Sequence, residues 1–278
     1  MSTNIRKAYV AGKFYPNSRL EISSLIDQIR ERESGKIAFP DSVNQIIGGV
    51  LPHAGHIYSG YQTIHFFEVL ARTRWEFETF VILHPIHRGG TMDYASDDND
   101  AWSTPLGTIA LDKEFIHSMN IPVSEDMHKW EHSAEVLLPF IQTYSYTEKK
   151  IVPIGISWQH PESSREIAKK LKNAIEITKR RICILASSDF SHFVDPDYGT
   201  KKDQLAIDEI LKLNPLGLYK IVQRENISIC GYGPIMALLF YINSLDCDVK
   251  AAVLTKGHSG MVYPDTSVVD YVSMVFYT

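Results

Sequence analysis

Four apolar, β-branched runs are spread along the chain with amphipathic stretches between them: residues 45–51 (QIIGGVL), 79–83 (TFVIL), 150–156 (KIVPIGI) and 181–186 (RICILA). Runs this short and this continuously apolar read as strands buried on both faces. Their alternation with helix-length amphipathic segments is the pattern of an α/β protein with a largely parallel sheet. The intervening helices are expected at 59–72, with Ile64, Phe67, Leu70 and Ala71 turned inward, at 161–178, around 201–224 and at 231–243. Ser18-Arg19-Leu20-Glu21 has the spacing of a capping box, and the helix after it places Leu25, Ile26 and Ile29 on one face. A short strand at 107–111 belongs to an excursion that begins near Gly89. Residues 133–145 read as a helix that Pro139 breaks or kinks, and strands at 249–255 and 267–277 close the chain. No internal repeat or low-complexity linker divides the 278 residues, so the expectation is a single domain, 1–278, with a central parallel or mixed sheet flanked by helices.

In an open α/β sheet the loops at the carboxyl ends of the strands converge on one crevice. Here those loops carry chemistry: Pro52-His53-Ala54-Gly55-His56, His84-Pro85-Ile86-His87, and Ser187-Ser188-Asp189-Phe190-Ser191-His192. His53 and His87, each just past a strand, would make a good half-site for Zn, Fe(II) or Cu. Cys230 is the best third ligand: it precedes a helix start at Gly231-Tyr232-Gly233-Pro234, where free N–H groups and the helix dipole favour the thiolate. Cys183 lies inside an apolar strand and reads as packing. Cys247 sits between two aspartates, which disfavours ionisation. His192 suits a general acid or base, and Asp189 either orients an imidazole or caps the following turn. Glu131 and His132 precede Ser133, a candidate N-cap, and either could also face the crevice to support a ligand or touch a substrate. His56, His65, His117, His128 and His160 read as packing or surface residues, and His84 stays open. Asp97-Asp98-Asn99-Asp100 lacks the central Gly and terminal Glu of a calcium loop and reads as a solvated turn.

Composition excludes several classes. The net charge of -5 gives nucleic acid no purchase. The basic clusters Lys169-Lys170-Lys172 and Lys179-Arg180-Arg181 read as solvated helix ends. Three cysteines make no disulfide framework and point to reduced thiols in a cytoplasmic protein. The N-terminal segment from Met1 to Arg6 has no signal-like apolar stretch, and no run approaches a membrane span. Oligomeric state is not written in the sequence.

The ordered motifs together resemble the Memo family along nearly the whole chain. They are Ala11-Gly12-Lys13-Phe14-Tyr15-Pro16, Pro52-His53-Ala54-Gly55 with Tyr58-Ser59-Gly60, Pro85-Ile86-His87, Thr104-Pro105-Leu106-Gly107, Glu131-His132-Ser133-Ala134-Glu135 with Leu137 and Pro139, Ser188-Asp189-Phe190-Ser191-His192, and Cys230-Gly231. Memo proteins look like relatives of class III extradiol dioxygenases, in which two histidines and a glutamate hold non-haem Fe(II). The resemblance implies one α/β domain of that type. It places His53 and His87 on the two histidine positions, Cys230 on the third, and His192 on the acid–base histidine. It makes Fe(II) the expected ion, with Cu or Zn as competitors because a thiolate is softer than a carboxylate. The chain departs from the familiar pattern at His84, where a glycine usually precedes the proline, at Arg88, where a second histidine often follows His87, and at Phe193, where a tryptophan is common.

The resemblance supports dioxygenase-like redox chemistry on a small molecule as the leading enzymatic expectation. The competing class is an interaction protein, since Memo proteins are implicated in signalling and in recognition of phosphorylated peptides. In that case a peptide or anionic ligand would enter the same crevice, with Arg88 beside His87 to hold a phosphate. A third reading, a thiol enzyme built on Cys230 and His192, requires the sulfur to lie beside the His192 ring.

Overall fold

The structure, a computed structural model, describes residues 3–73, 76–145 and 147–278. Met1 and Ser2, the first residues of the stretch read as signal-free, lie outside them. The strands are β1 (Ile5–Arg6), β2 (Ile46–Leu51), β3 (Thr79–Pro85), β4 (Tyr94–Ser96), β5 (Ala101–Thr104), β6 (Gly107–Leu111), β7 (Lys150–Ile156), β8 (Ile182–Ser187), β9 (His192–Val194), β10 (Lys250–His258) and β11 (Val268–Tyr277). They form one eleven-stranded sheet in the order β1-β5-β6-β7-β3-β8-β2-β11-β10, with β4 paired to β7 and β9 to β11. The four apolar runs make its centre: β7, β3, β8 and β2 are mutually parallel, and β11 and β10 add antiparallel at one side. Every residue of β2, β3 and β8 is buried, which accounts for their lack of alternation.

Helices cover the sheet. The His56–Thr73 helix packs on β2, β10 and β11, and the Tyr232–Ile242 helix on β3 and β8. A Cβ on Gly49 would come within 2.4 Å of the Phe66 ring, so a residue with no side chain is what lets that helix seat against β2. One continuous core runs through both layers. No helix among the described residues is long and apolar enough to cross a membrane.

Several local expectations change. Pro139 begins a helix rather than breaking one. A short 3-10 turn at Glu135–Leu137 leads into the Leu138–Tyr144 helix, where a proline in the first turn sacrifices no hydrogen bond. Ser133 therefore caps nothing. The stretch expected around 201–224 is two helices, Pro196–Leu211 and Pro215–Glu225, separated at Leu213, whose φ of 53° cannot continue a helix, and restarted by an Asn214 cap. The acidic turn is not uniformly solvated. Asp97 and Asn99 are buried, with the Asp97 carboxylate accepting from the Asn99 amide and the Trp102 indole, while Asp98 and Asp100 are exposed.

Candidate metal centre

Because β8 lies between β2 and β3, the three imidazole- and carboxylate-bearing loops leave the sheet side by side. His53 follows β2, His87 follows β3, and Asp189 follows β8. The Glu131–Ser133 segment closes over them from the excursion. Its Glu131 carboxylate is a hub. It accepts from the His87 backbone N–H (2.8 Å), from His87 Nδ1 (2.9 Å), from the His132 and Ser133 backbone N–H groups (2.9 and 3.0 Å) and from the Ser133 hydroxyl (2.8 Å). Burial alone would raise its pKa. The His87 hydrogen bond and the neighbouring imidazoles His87, His84 and His132 win, and hold the carboxyl far below its usual range.

These contacts decide which ring nitrogens are free. His87 Nδ1 faces a carboxylate, so it carries the hydrogen and leaves Nε2 with an open lone pair. At His53, Nδ1 lies 2.8 Å from Ser187 Oγ, and the Ser187 hydroxyl already donates to the Ser133 carbonyl at 2.6 Å. Ser187 Oγ must therefore accept from His53 Nδ1–H, which again frees Nε2. Burial, with His132 and His87 alongside, pushes the His53 pKa well below that of free imidazole. Burial also lowers His132, to about 4. One nitrogen from each of His53, His87 and His132 lies within 4.8 Å of the others. The His87 and His132 rings stack with centroids 4.7 Å apart, and His53 stands edge-on to both at 5.3 and 5.4 Å.

Cys230 comes to the same place. Its Sγ is 3.1 Å from His53 Nε2 and accepts the Asp189 backbone N–H at 3.3 Å. The close approach depends on Gly231, where a Cβ would sit 2.3 Å from the Ser187 carbonyl oxygen. The helix start does not yield the expected thiolate. Burial, reinforced by the nearby Asp189 carboxyl, pushes the thiol well above its ordinary value, so ionisation here needs a cation to offset both. Asp189 Oδ1 accepts the His53 backbone N–H at 2.7 Å, and burial raises its carboxyl to about 6. Its hydrogen bond therefore orients the backbone of the His53 loop.

The donor set fits a transition-metal ion. The imidazoles have their outer nitrogens tied to a carboxylate and a hydroxyl, their inner nitrogens cluster with that of His132, and the His53 lone pair faces a sulfur. Beside it opens a cleft of about 510 Å³, walled by Phe14, Tyr58, Tyr263 and Tyr271 as well as by the histidines. His192 lines this cleft. Its Nδ1–H donates to the Ser228 carbonyl at 2.8 Å, leaving Nε2 as the acceptor. Larger grooves elsewhere, of about 730 and 680 Å³, gather no imidazole cluster.

The structure thus brings His53, His87, Cys230, Asp189, Glu131, His132 and His192 to one crevice. Arg88 is exposed beside it, and its charge is felt at His132. The imidazole within hydrogen-bond reach of the sulfur is His53, not the His192 that the thiol-enzyme reading required. His132, read as a supporting residue, stands inside the imidazole cluster itself. The Ser187 and Ser133 relay was not read from sequence at all. Its one signal was the run of hydroxyls that begins at the last residue of β8.

An α/β fold with an imidazole cluster at the carboxyl ends of its central parallel strands defines the class. The chain belongs to the Memo family: the family model described as "Memo-like protein" matches residues 6–275. It is 37% identical to a MEMO1 family protein of Pyrobaculum aerophilum, over 98% of this chain and 99% of that one. It is 38% identical to a MEMO1 family protein of Desulfurococcus amylolyticus, with the same coverage. A MEMO1 family protein of Methanocaldococcus jannaschii is 35% identical over 98% of each. Among solved structures, an uncharacterized protein of Escherichia coli K12 shares the fold, with a TM-score of 0.53, 14% identity, and coverage of 83% of this chain and 99% of that one.

Proposed function

We propose that the crevice holds a first-row transition-metal ion, redox-active Fe(II) foremost, with Cu or Zn in competition. His53, His87 and Cys230 are its ligands, with His132 against them, and the centre serves dioxygenase-like chemistry on a small organic substrate. The observation that carries this reading is the directed set of lone pairs: the outer nitrogens of His53 and His87 are spent on Ser187 and Glu131, their free nitrogens lie in one cluster with His132, and that of His53 also faces the Cys230 sulfur. When bound, Fe(II) would supply open coordination positions and electrons for O₂. The chain's own residues do the rest. Glu131 fixes the His87 tautomer. His192 lines the cleft with Nδ1 held by Ser228, and its Nε2 would take a proton from a substrate hydroxyl there. Phe14, Tyr58 and Tyr263 offer flat apolar faces that displace water around a ring.

Elemental analysis after purification without a polyhistidine tag tests it. Iron, copper or zinc is expected near one per chain in the wild type and at least tenfold lower in His53→Ala, His87→Ala and Cys230→Ala, with folding unchanged by circular dichroism. Metal content indifferent to all three changes would sink the reading. Oxygen uptake with a panel of catechols, on iron-loaded protein with the thiol reduced, separates catalysis from storage.

A second reading has its own support. Phe193 and Tyr263 at the rim are 77% and 61% exposed, and such aromatics suit a peptide or other anionic ligand lying across the mouth. Peptide capture that survives removal of the metal would favour it.

A further inference from the structure

Behind the crevice lies a pair of carboxyls that the site above does not use. Asp203, on the Pro196–Leu211 helix, and Asp270, on β11, are 3% and 5% exposed and line one small cavity together, near enough that each carboxyl shifts the titration of the other. Both grip the segment that carries His192. The Ser191 hydroxyl donates to Asp203 Oδ1 at 2.6 Å, and its backbone N–H donates to Oδ2 at 3.3 Å. Asp270 brackets the same turn through its backbone: its N–H donates to the Ser191 carbonyl at 2.8 Å, and its carbonyl accepts from Phe190 N–H at 2.9 Å.

Asp270 Oδ2 is buried, and no donor faces it. The helix seals it in, since a Cβ on Gly199 would fall 2.3 Å away. Two carboxylates this close cannot both stay ionised in such a place, so one proton must lie between them. The Ser191 donors select Asp203 as the ionised partner, which leaves the proton on Asp270.

We propose that Asp203 and Asp270 are positioning residues for His192: sharing one proton, they clamp Ser191 and so fix the segment that presents the acid–base imidazole to the crevice. The proposal rests on the reading of His192 given above for its functional meaning, but the clamp itself requires no metal. Its physical consequence is a pH limit. Burial first, and then Asp203, push the Asp270 carboxyl up to about 8, and burial also raises Asp203. Above that pH the shared proton passes to hydroxide and two like charges remain side by side. The other titratable groups facing the pair are His192 from β9, Lys256 and His258 from β10, and Tyr271 from β11. The Lys256 ammonium donates to the Gln204 side-chain oxygen at 3.1 Å.

Hydrogen exchange followed by NMR on the full, metal-free chain tests the clamp, with the Ser191 amide as reporter. After correction for intrinsic exchange, wild-type protection at Ser191 should fall at least tenfold between pH 6.5 and 9, with a midpoint near 8, and the His192 ring signals should shift over the same interval. In Asp270→Asn the carboxamide donates to Asp203 with no proton to lose, so Ser191 protection should be high and level across that range. Level protection in the wild type overturns the proposal whatever the variant does, as does an unaltered pH dependence in Asp270→Asn. Either result leaves the metal analysis standing, and loss of metal binding would leave this one standing.

Discussion

Two groups of histidines lie within a few residues of each other in sequence and do opposite work. His53, His87 and His132 have their outer nitrogens held by Ser187 and Glu131 and their inner faces turned to an open cleft. His56, His84 and His128 are sealed in the interior. His56 Nε2 donates to the Val136 carbonyl at 2.8 Å while its ring packs between Tyr15 and Phe140. His128 Nδ1 donates to the Ser124 carbonyl at 3.0 Å, and His84 Nδ1 meets Ser133 Oγ at 3.0 Å. In the interior group a ring nitrogen is left without a partner and faces only protein. The difference teaches that an imidazole becomes a ligand through what holds its far side and what space its near side meets. Proximity to a strand end is not enough.

The sharpest way to break the comparison is to truncate an interior ring. His56→Ala should cost about 2–4 kcal/mol, from the lost packing and a stranded Val136 carbonyl, while metal content stays at the wild-type level. Chemical denaturation and elemental analysis on the same sample measure both. A His56→Ala protein that keeps its stability and loses its metal would reverse the assignment of the two groups.

Glu131→Gln probes the crevice group from behind. The amide keeps the volume but no longer holds His87 Nδ1–H with a charge, so metal affinity should fall roughly 10- to 100-fold, with competition against a chelator as the readout. Unchanged affinity would mean that the His87 tautomer is fixed by something other than this carboxylate.

The smallest effect is a matter of pH. Burial lowers His56 to about 4, against an ordinary value near 6.5 in the unfolded chain. Below about 6.5 the unfolded state binds a proton that the folded state refuses, so stability is complete above that pH and declines as pH falls towards 4. By pH 5.5 His56 alone should account for about 1 kcal/mol. Denaturant midpoints from pH 7.5 to 4.5 should show the slope in the wild type and a shallower one in His56→Gln. Equal slopes would remove His56 from the account.

Much of the architecture was legible because it is local. Continuous apolar runs such as TFVIL and RICILA predict the parallel centre, and histidines just past them predict where a crevice forms. What stayed hidden depends on distant partners. Glu131 meets His87 across 44 residues of chain, and Asp203 meets Asp270 from a different element, so no spacing rule could pair them. The Cys230 thiol was misjudged because the helix start is visible in sequence, whereas the burial and the Asp189 carboxyl that outweigh it are not. Asp97 looked solvated for the same reason: the indole that buries it arrives only with the β5 strand. Short strands such as β4 and β9 carry too few residues to show a period at all.

Gly231 lets the Cys230 turn close on the end of β8, where any side-chain carbon would collide with the Ser187 carbonyl. The span between sulfur and imidazole is therefore set by one missing methyl, at a position that offers no metal-ligating side chain. An engineer wishing to retune which cation this pocket prefers could leave every coordinating side chain in place and adjust the spacer behind one of them.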